Sequence, residues 1–254
     1  MYSANDVITP PKLSVNLNKI ALIRNSRGHD FPDIRTFANL ALTKGAAGVT
    51  IHPRQDQRHA TYQDISDLSS VVAQLAGREL NVEGYPSETL LTHVLDQKPH
   101  QFTLVPDDPH QITSDHGWDL IRHGAFVRPI IEKVQREGIR CSLFVDPDQE
   151  QIRRAADTGA QRIELYTAAY AEAYRTDNAF KPLLEKYMQC ADLARSLGLM
   201  VNAGHDLDLN NLWPFVSKIA ITEVSIGHAL TVEALTFGFA ETIKRYVNIL
   251  NRLV

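Results

Sequence analysis

The sequence predicts a (β/α)8 TIM barrel with additional short helices, built as one domain across residues 1–254. Three observations point to it. Eight short apolar runs recur along the chain, and each ends on polar residues or glycine. Helical periodicity follows each run. The length of 254 residues is what eight such units need. In a barrel of this kind all strand C-termini open at one end, so polar residues at those ends converge on a single mouth.

The elements can be placed in order. Strands are expected at 13–17, 48–52, 79–83, 101–105, 140–145, 162–165, 199–202 and 223–226. Their near-continuous apolar runs suit strands covered on both faces. The first dozen residues hold no secretory-type apolar core and end at Pro10-Pro11 as a loose tail. After the first strand, segment 22–31 is expected to carry Arg24 and Arg27 to the mouth's rim. Thr61-x-x-Asp64 has the form of a capping box opening a helix to about Ala76. Residues 106–117 (PDDPHQITSDHG), between the fourth strand and its helix, are a lid candidate. Asp146-Pro147 offers a cap and a first-turn proline for a helix over 149–158. Segment 168–178 is alanine-rich enough for a short extra helix. Leu183, Leu184, Tyr187, Met188, Ala191 and Ala194 form one apolar stripe. Leu235, Phe239, Ile243, Tyr246, Val247 and Leu250 form another on the last helix.

Composition narrows the function classes. Net charge is −4, so no basic field exists to hold nucleic acid or an anionic membrane surface. No apolar stretch approaches the roughly 18 residues a membrane span requires. Anionic small molecules would have to be captured locally, by arginines or helix N-termini. Cys141 and Cys190 are the only cysteines and read as core thiols, which makes a reducing, cytoplasmic location the expectation. Clustered cysteines for zinc are absent, the first strand offers Asn16-Leu17-Asn18 rather than a His-x-His pair, and no glycine-rich nucleotide fingerprint follows a strand. A metal-dependent hydrolase site, a structural zinc site and nucleotide binding are therefore not expected.

Anion capture and proton transfer are both legible at the strand ends. Ser225 to Leu230 runs from strand into helix with no side chain at Gly227, so backbone N–H groups and the helix terminus can approach a phosphate. The alternative is that Gly227 only makes a tight turn and His228 caps the helix. The run from His52 to His59 carries Arg54, Arg58 and His59 and can hold a second phosphate, or be a solvated loop. His52, Glu83 and His205 sit where acid–base groups are needed. Histidine titrates near neutrality, and a carboxylate in an enclosed mouth gains basicity on losing water. Lys19 offers either a Schiff base or a phosphate contact. Two other classes fit part of the pattern. One is a barrel lyase or isomerase acting on a single sugar phosphate, for which one anion site suffices. The other is a catalytically silent homologue that binds a phosphorylated metabolite.

Seven segments in this order resemble the pyridoxine 5′-phosphate synthase family of vitamin B6 biosynthesis: VNLNKIALIRNSRG (15–28), GVTIHPRQDQRH (48–59), LNVEG (80–84), TLVPDDPHQIT (103–113), SLFVDPDQEQI (142–152), LGLMVNAGHD (197–206) and EVSIGHAL (223–230). The resemblance implies a cytoplasmic homo-octamer built from dimers, with no cofactor. Its reaction joins 1-deoxy-D-xylulose 5-phosphate to 3-amino-2-oxopropyl phosphate, giving pyridoxine 5′-phosphate, phosphate and water. It makes His52 and Glu83 proton acceptors and His205 a proton donor. It assigns Asn16, Arg27, Asp206, Gly227 and His228 to the amino-ketone phosphate, and Arg54, His59 and Thr113 to the deoxyxylulose phosphate. The chain departs from the common pattern at Asn18-Lys19, where much of the family has Asp-His. It departs again at Asp206 and Ala168, where the family usually has glycine.

Overall fold

The computed structural model describes residues 10–28, 30–107, 111, 113–176 and 180–253. Eight parallel strands close on themselves in chain order: β1 (Lys12–Asn16), β2 (Gly48–Ile51), β3 (Glu79–Gly84), β4 (Gln101–Leu104), β5 (Arg140–Val145), β6 (Arg162–Tyr166), β7 (Met200–Gly204) and β8 (Glu223–Ile226). β8 closes the ring on β1, with Ser225 beside Ser14 and Ile226 beside Val15. β5 and β8 have the bounds expected from sequence. β7 runs two residues further than expected, because β6 extends alongside it and Tyr166 pairs with Gly204.

Alternation sorts each strand into two faces. Val15, Val49, Ile51, Leu80, Val82, Leu143, Ile163 and Leu165 are fully buried among the surrounding helices. The opposite face is buried as well, as expected of covered strands, but most of its side chains are polar. Ser14 shares a 2.6 Å hydrogen bond with Thr50, Asn81 donates to Thr50 at 3.3 Å, and Thr103 donates to Asn81 at 2.9 Å. Arg162 continues the set, donating to Asn202 at 3.3 Å and lying 3.6 Å from Glu223. These contacts satisfy most of the buried polar groups, while Ser142 Oγ and Arg162 Nε complete no hydrogen bond among the described residues.

The helices are α1 (Asn18–Asn25), α2 (Ile34–Thr43), α3 (Tyr62–Ala73), α4 (Glu88–Gln97), α5 (Leu120–Arg136), α6 (Gln149–Asp157), α7 (Ala168–Arg175), α8 (Phe180–Ser196), α9 (Leu212–Val216), α10 (His228–Phe237) and α11 (Phe239–Leu250). α1, α7 and α10 are additions at the C-terminal ends of β1, β6 and β8. Residues 177 and 178 of the segment expected to hold α7 lie outside the described residues, as do 108–110 and 112 of the lid candidate and the tail through residue 9.

Three local expectations are corrected. The segment after β1 is helical, and α1 turns Arg24 inward onto Asp64 instead of leaving it on the rim. α6 is capped by Asp148, which accepts from the N–H groups of Glu150 and Gln151, while Asp146 accepts from Gly117 N at 3.1 Å. The last apolar stripe spans two helices. Gly238, at φ +79°, breaks them apart and leaves Leu235 82% exposed. The Thr61–Asp64 capping box of α3 is present in both directions.

Candidate active site

The C-terminal ends of the strands surround a cup with about 1340 Å³ of space open to solvent. Every strand contributes to it, directly or through the loop that follows. Ten of the eleven residues singled out from sequence line it: Asn16, His52, Arg54, His59, Glu83, Thr113, His205, Asp206, Gly227 and His228. Arg27 does not. It stands exposed in the turn after α1, because that helix spends its inward face on Arg24.

On one side of the cup, the loop after β2 presents His52, Arg54 and His59. His52 is held by its backbone N–H, which donates to Asn18 Oδ1 at 2.9 Å. Burial, reinforced by the charges of Arg54, His59 and Arg58, pushes its protonation well below the usual histidine range. Burial, with the charges of Arg54, Lys19 and Arg58, pushes His59 down to about 4. Both rings are thus neutral at pH 7 and can accept protons or hydrogen bonds. Arg54 is buried, donating to the Gln111 carbonyl at 2.9 Å and facing Asp107 Oδ2 at 2.5 Å. Asp107 Oδ2 also lies 3.5 Å from His52 Nε2.

The floor carries acid groups. Glu83 is pushed up to about 8, first by burial and then by Asp107 and Glu223. Glu164 on β6 is raised well above the carboxylate range by burial and by Glu83 and Glu223. Gly204 is needed beside it, since a Cβ there would come 2.2 Å from Glu164 Oε1. Such a cluster keeps protons at neutral pH and holds them where a substrate would sit.

Across the cup, β7 ends at His205. Its Nε2 lies 3.3 Å from Thr113 Oγ1, its Nδ1 lies 3.3 Å from Asp206 Oδ2, and Tyr166 packs edge-on with ring centroids 4.9 Å apart. Next to it, β8 passes through Gly227 into α10. A Cβ on Gly227 would meet Asn16 Cβ at 2.9 Å, so glycine lets the α10 terminus close against β1. Gly227, His228 and Ala229 line the cup, and no side chain at Gly227 stands between an anion and the first N–H groups of the helix.

Sequence reading passed over Asp107 as a site residue and assigned no role to Glu164 or to the Ser225 side chain, although all three line or buttress the cup. Strict alternation puts Glu164 and Ser225 on the cup side of their strands, two residues beyond Arg162 and Glu223. Asp107 sits three residues past β4, inside a stretch read only as a lid.

The sequence profile of the family described as "Pyridoxal phosphate biosynthesis protein PdxJ" matches residues 13–252. A pyridoxine 5′-phosphate synthase of Agrobacterium fabrum is 47% identical over 241 residues, covering 93% of this chain and 96% of that protein. The one from Brucella anthropi is 45% identical over 240 residues, covering 94% and 98%. Among solved structures, phosphoribosyl anthranilate isomerase of Thermus thermophilus superposes with a TM-score of 0.58 at 14% identity, covering 96% of this chain and all of the other. That last likeness concerns the barrel alone.

Proposed function

The chain belongs to the PdxJ family of pyridoxine 5′-phosphate synthases in vitamin B6 biosynthesis, and from that premise we propose how its cup makes the product. The substrates are 1-deoxy-D-xylulose 5-phosphate and 3-amino-2-oxopropyl phosphate, which condense to pyridoxine 5′-phosphate with loss of phosphate and water. Arg54, His59 and Thr113 hold the first phosphate. The amino-ketone phosphate takes the other wall, against Asn16, the backbone after His205, and the N–H groups of Gly227 and His228. Arg27 is left out of this set, since its exposed turn does not line the cup.

Joining an amine to a ketone, expelling phosphate, closing a ring and dehydrating all require protons to be moved repeatedly. His52, kept neutral by burial, offers a lone pair. Glu83 in its ionised form is an unusually strong carboxylate base, because burial favours its protonated form. His205 returns a proton to a departing oxygen. Lys19 and Asn18 also line the cup, and Asn18 Oδ1 accepts from the His52 backbone. One observation carries this reading: His52, Glu83 and His205 share one cup, with a cationic loop on one side and a helix N-terminus on the other.

Purified protein given both substrates should release inorganic phosphate and form a species with pyridoxine absorbance, and neither substrate alone should do so. Consumption of a single sugar phosphate would instead support a lyase or isomerase. Assembly as a homo-octamer built from dimers is also proposed. Leu22 and Ile23 on α1 and Val232, Leu235 and Phe237 on α10 expose apolar surface that self-association would cover. Light scattering should give eight times the 28.5 kDa chain mass. Cytoplasmic residence is supported by two buried, unpaired thiols, Cys141 and Cys190.

A further inference from the structure

His205 and Asp206 both adopt left-handed backbone conformations, at φ +87° and +61°. Consecutive non-glycine residues there are strained, and glycine would be the relaxed choice at either position. The side chain of Asp206 accounts for its presence. Its Oδ2 stands 3.3 Å from His205 Nδ1. That nitrogen is closed off from solvent and completes no hydrogen bond among the described residues, which leaves the nearby Asp206 carboxylate as the acceptor within its reach. On the far edge of the ring, Nε2 points to Thr113 and the cup. A carboxylate would repel a substrate phosphate, so this side chain is poorly suited to hold one. Its carboxyl is itself kept ionised, first by His205 beside it and further by the charges of Arg175 and His228.

We propose that Asp206 is a positioning residue for His205: its carboxylate takes the Nδ1 proton and thereby fixes Nε2 as the atom that delivers a proton into the cup. This rests on the reading of His205 as proton donor. In the step concerned, the Nε2–H bond of the imidazolium breaks and its proton goes to the substrate oxygen leaving as water. The C–O electron pair departs with that oxygen, the pair of an adjacent C–H or N–H bond forms the new double bond as a base of the cup takes that proton, and the Nε2–H pair returns to the ring. The Nδ1 proton stays against Asp206 and stabilises the charged form before transfer. Tyr166 from β6 packs on this ring, Glu164 lines the same cup, and Arg175 from α7 and His228 from α10 act on the Asp206 carboxylate.

The test is Asp206→Asn, read by nitrogen NMR of ring-labelled histidine, with the His205 signals identified by their loss in His205→Gln. In the parent the neutral ring should carry its proton on Nδ1, and removing the carboxylate should move it toward the Nε2-protonated tautomer. With it kcat should fall about ten-fold or more, with both KM values within about two-fold. Asp206→Glu should restore part of the Nδ1 tautomer. An unchanged His205 tautomer would overturn the proposal, as would a changed KM for the amino-ketone phosphate with an unchanged kcat. Should Asp206→Asn fail to fold, Asp206→Gly, relaxed at this φ, takes the same two readouts. The NMR arm needs no turnover. Absent synthesis by the unmodified enzyme would therefore sink the functional reading while leaving this pairing to be judged by itself.

Discussion

Arg24 grips Asp64 with both terminal nitrogens, Nη1 to Oδ1 at 2.6 Å and Nη2 to Oδ2 at 2.9 Å. The same carboxylate accepts from Thr61 N at 2.7 Å as half of the α3 capping box. One buried side chain thus fastens α1, the helix that carries Asn18 and Lys19, to the start of α3.

Arg24→Ala would leave Asp64 buried and short of its partner. Loss of one member of a buried pair costs about 3 kcal/mol or more. Urea denaturation should show a drop of that size, with unchanged substrate affinities at low temperature. A loss under about 1 kcal/mol would mean that water satisfies the pair.

Glu83 links activity to pH. Its folded-state value of about 8 lies above the ordinary 4.5. The folded protein therefore favours the protonated form, and the resulting stabilisation is complete below pH 4.5 and lost as pH rises through about 8. Glu83→Gln, which cannot ionise, should melt at a higher temperature than the parent at pH 8–9 while losing at least about 100-fold in kcat. In the parent, kcat/KM should decline as pH falls below about 8. A profile flat from pH 6 to 9 would remove Glu83 from the role of base.

Asp107 occupies the guanidinium of Arg54 that a substrate phosphate would use. Replacing it with asparagine frees that cation of its internal anion. Inorganic phosphate should then compete with the deoxyxylulose phosphate about ten-fold more strongly in Asp107→Asn, a gain of ~1.4 kcal/mol. Weaker competition would show that Asp107 instead aims Arg54 at its ligand.

Gly227→Ala tests the opposite wall. The backbone there does not require glycine, but the added Cβ meets Asn16 Cβ at 2.9 Å and Cγ at 3.1 Å. Displacing Asn16 should raise KM for the amino-ketone phosphate about ten-fold and leave that for the deoxyxylulose phosphate within two-fold, as steady-state kinetics would measure. Equal increases for both would place the two phosphates on one wall.

The parts of the molecule legible in sequence were those set by local chemistry. Runs such as 140–145 and 223–226 gave their strands residue for residue, and Thr61 with Asp64 gave the α3 cap. Strand-end position was enough to gather His52, Glu83 and His205. What escaped depends on partners distant in sequence. The inward turn of Arg24 is decided by Asp64, forty residues on. The place of Asp107 is decided by Arg54, and the polar barrel interior by contacts such as Ser14 with Thr50. The cap of α6 was misplaced by two residues because Asp146 and Asp148 both have capping side chains, and only Gly117 shows which is otherwise engaged.

The most direct test is a crystal structure with both substrates, or with a nonreactive analogue of one beside the other. Two phosphates should appear in the cup, one against Arg54 and His59 and one on the N–H groups at Gly227 and His228, with the reacting carbons between His52, Glu83 and His205. A single phosphate in the cup, or reacting carbons beyond the reach of those three side chains, would contradict the account.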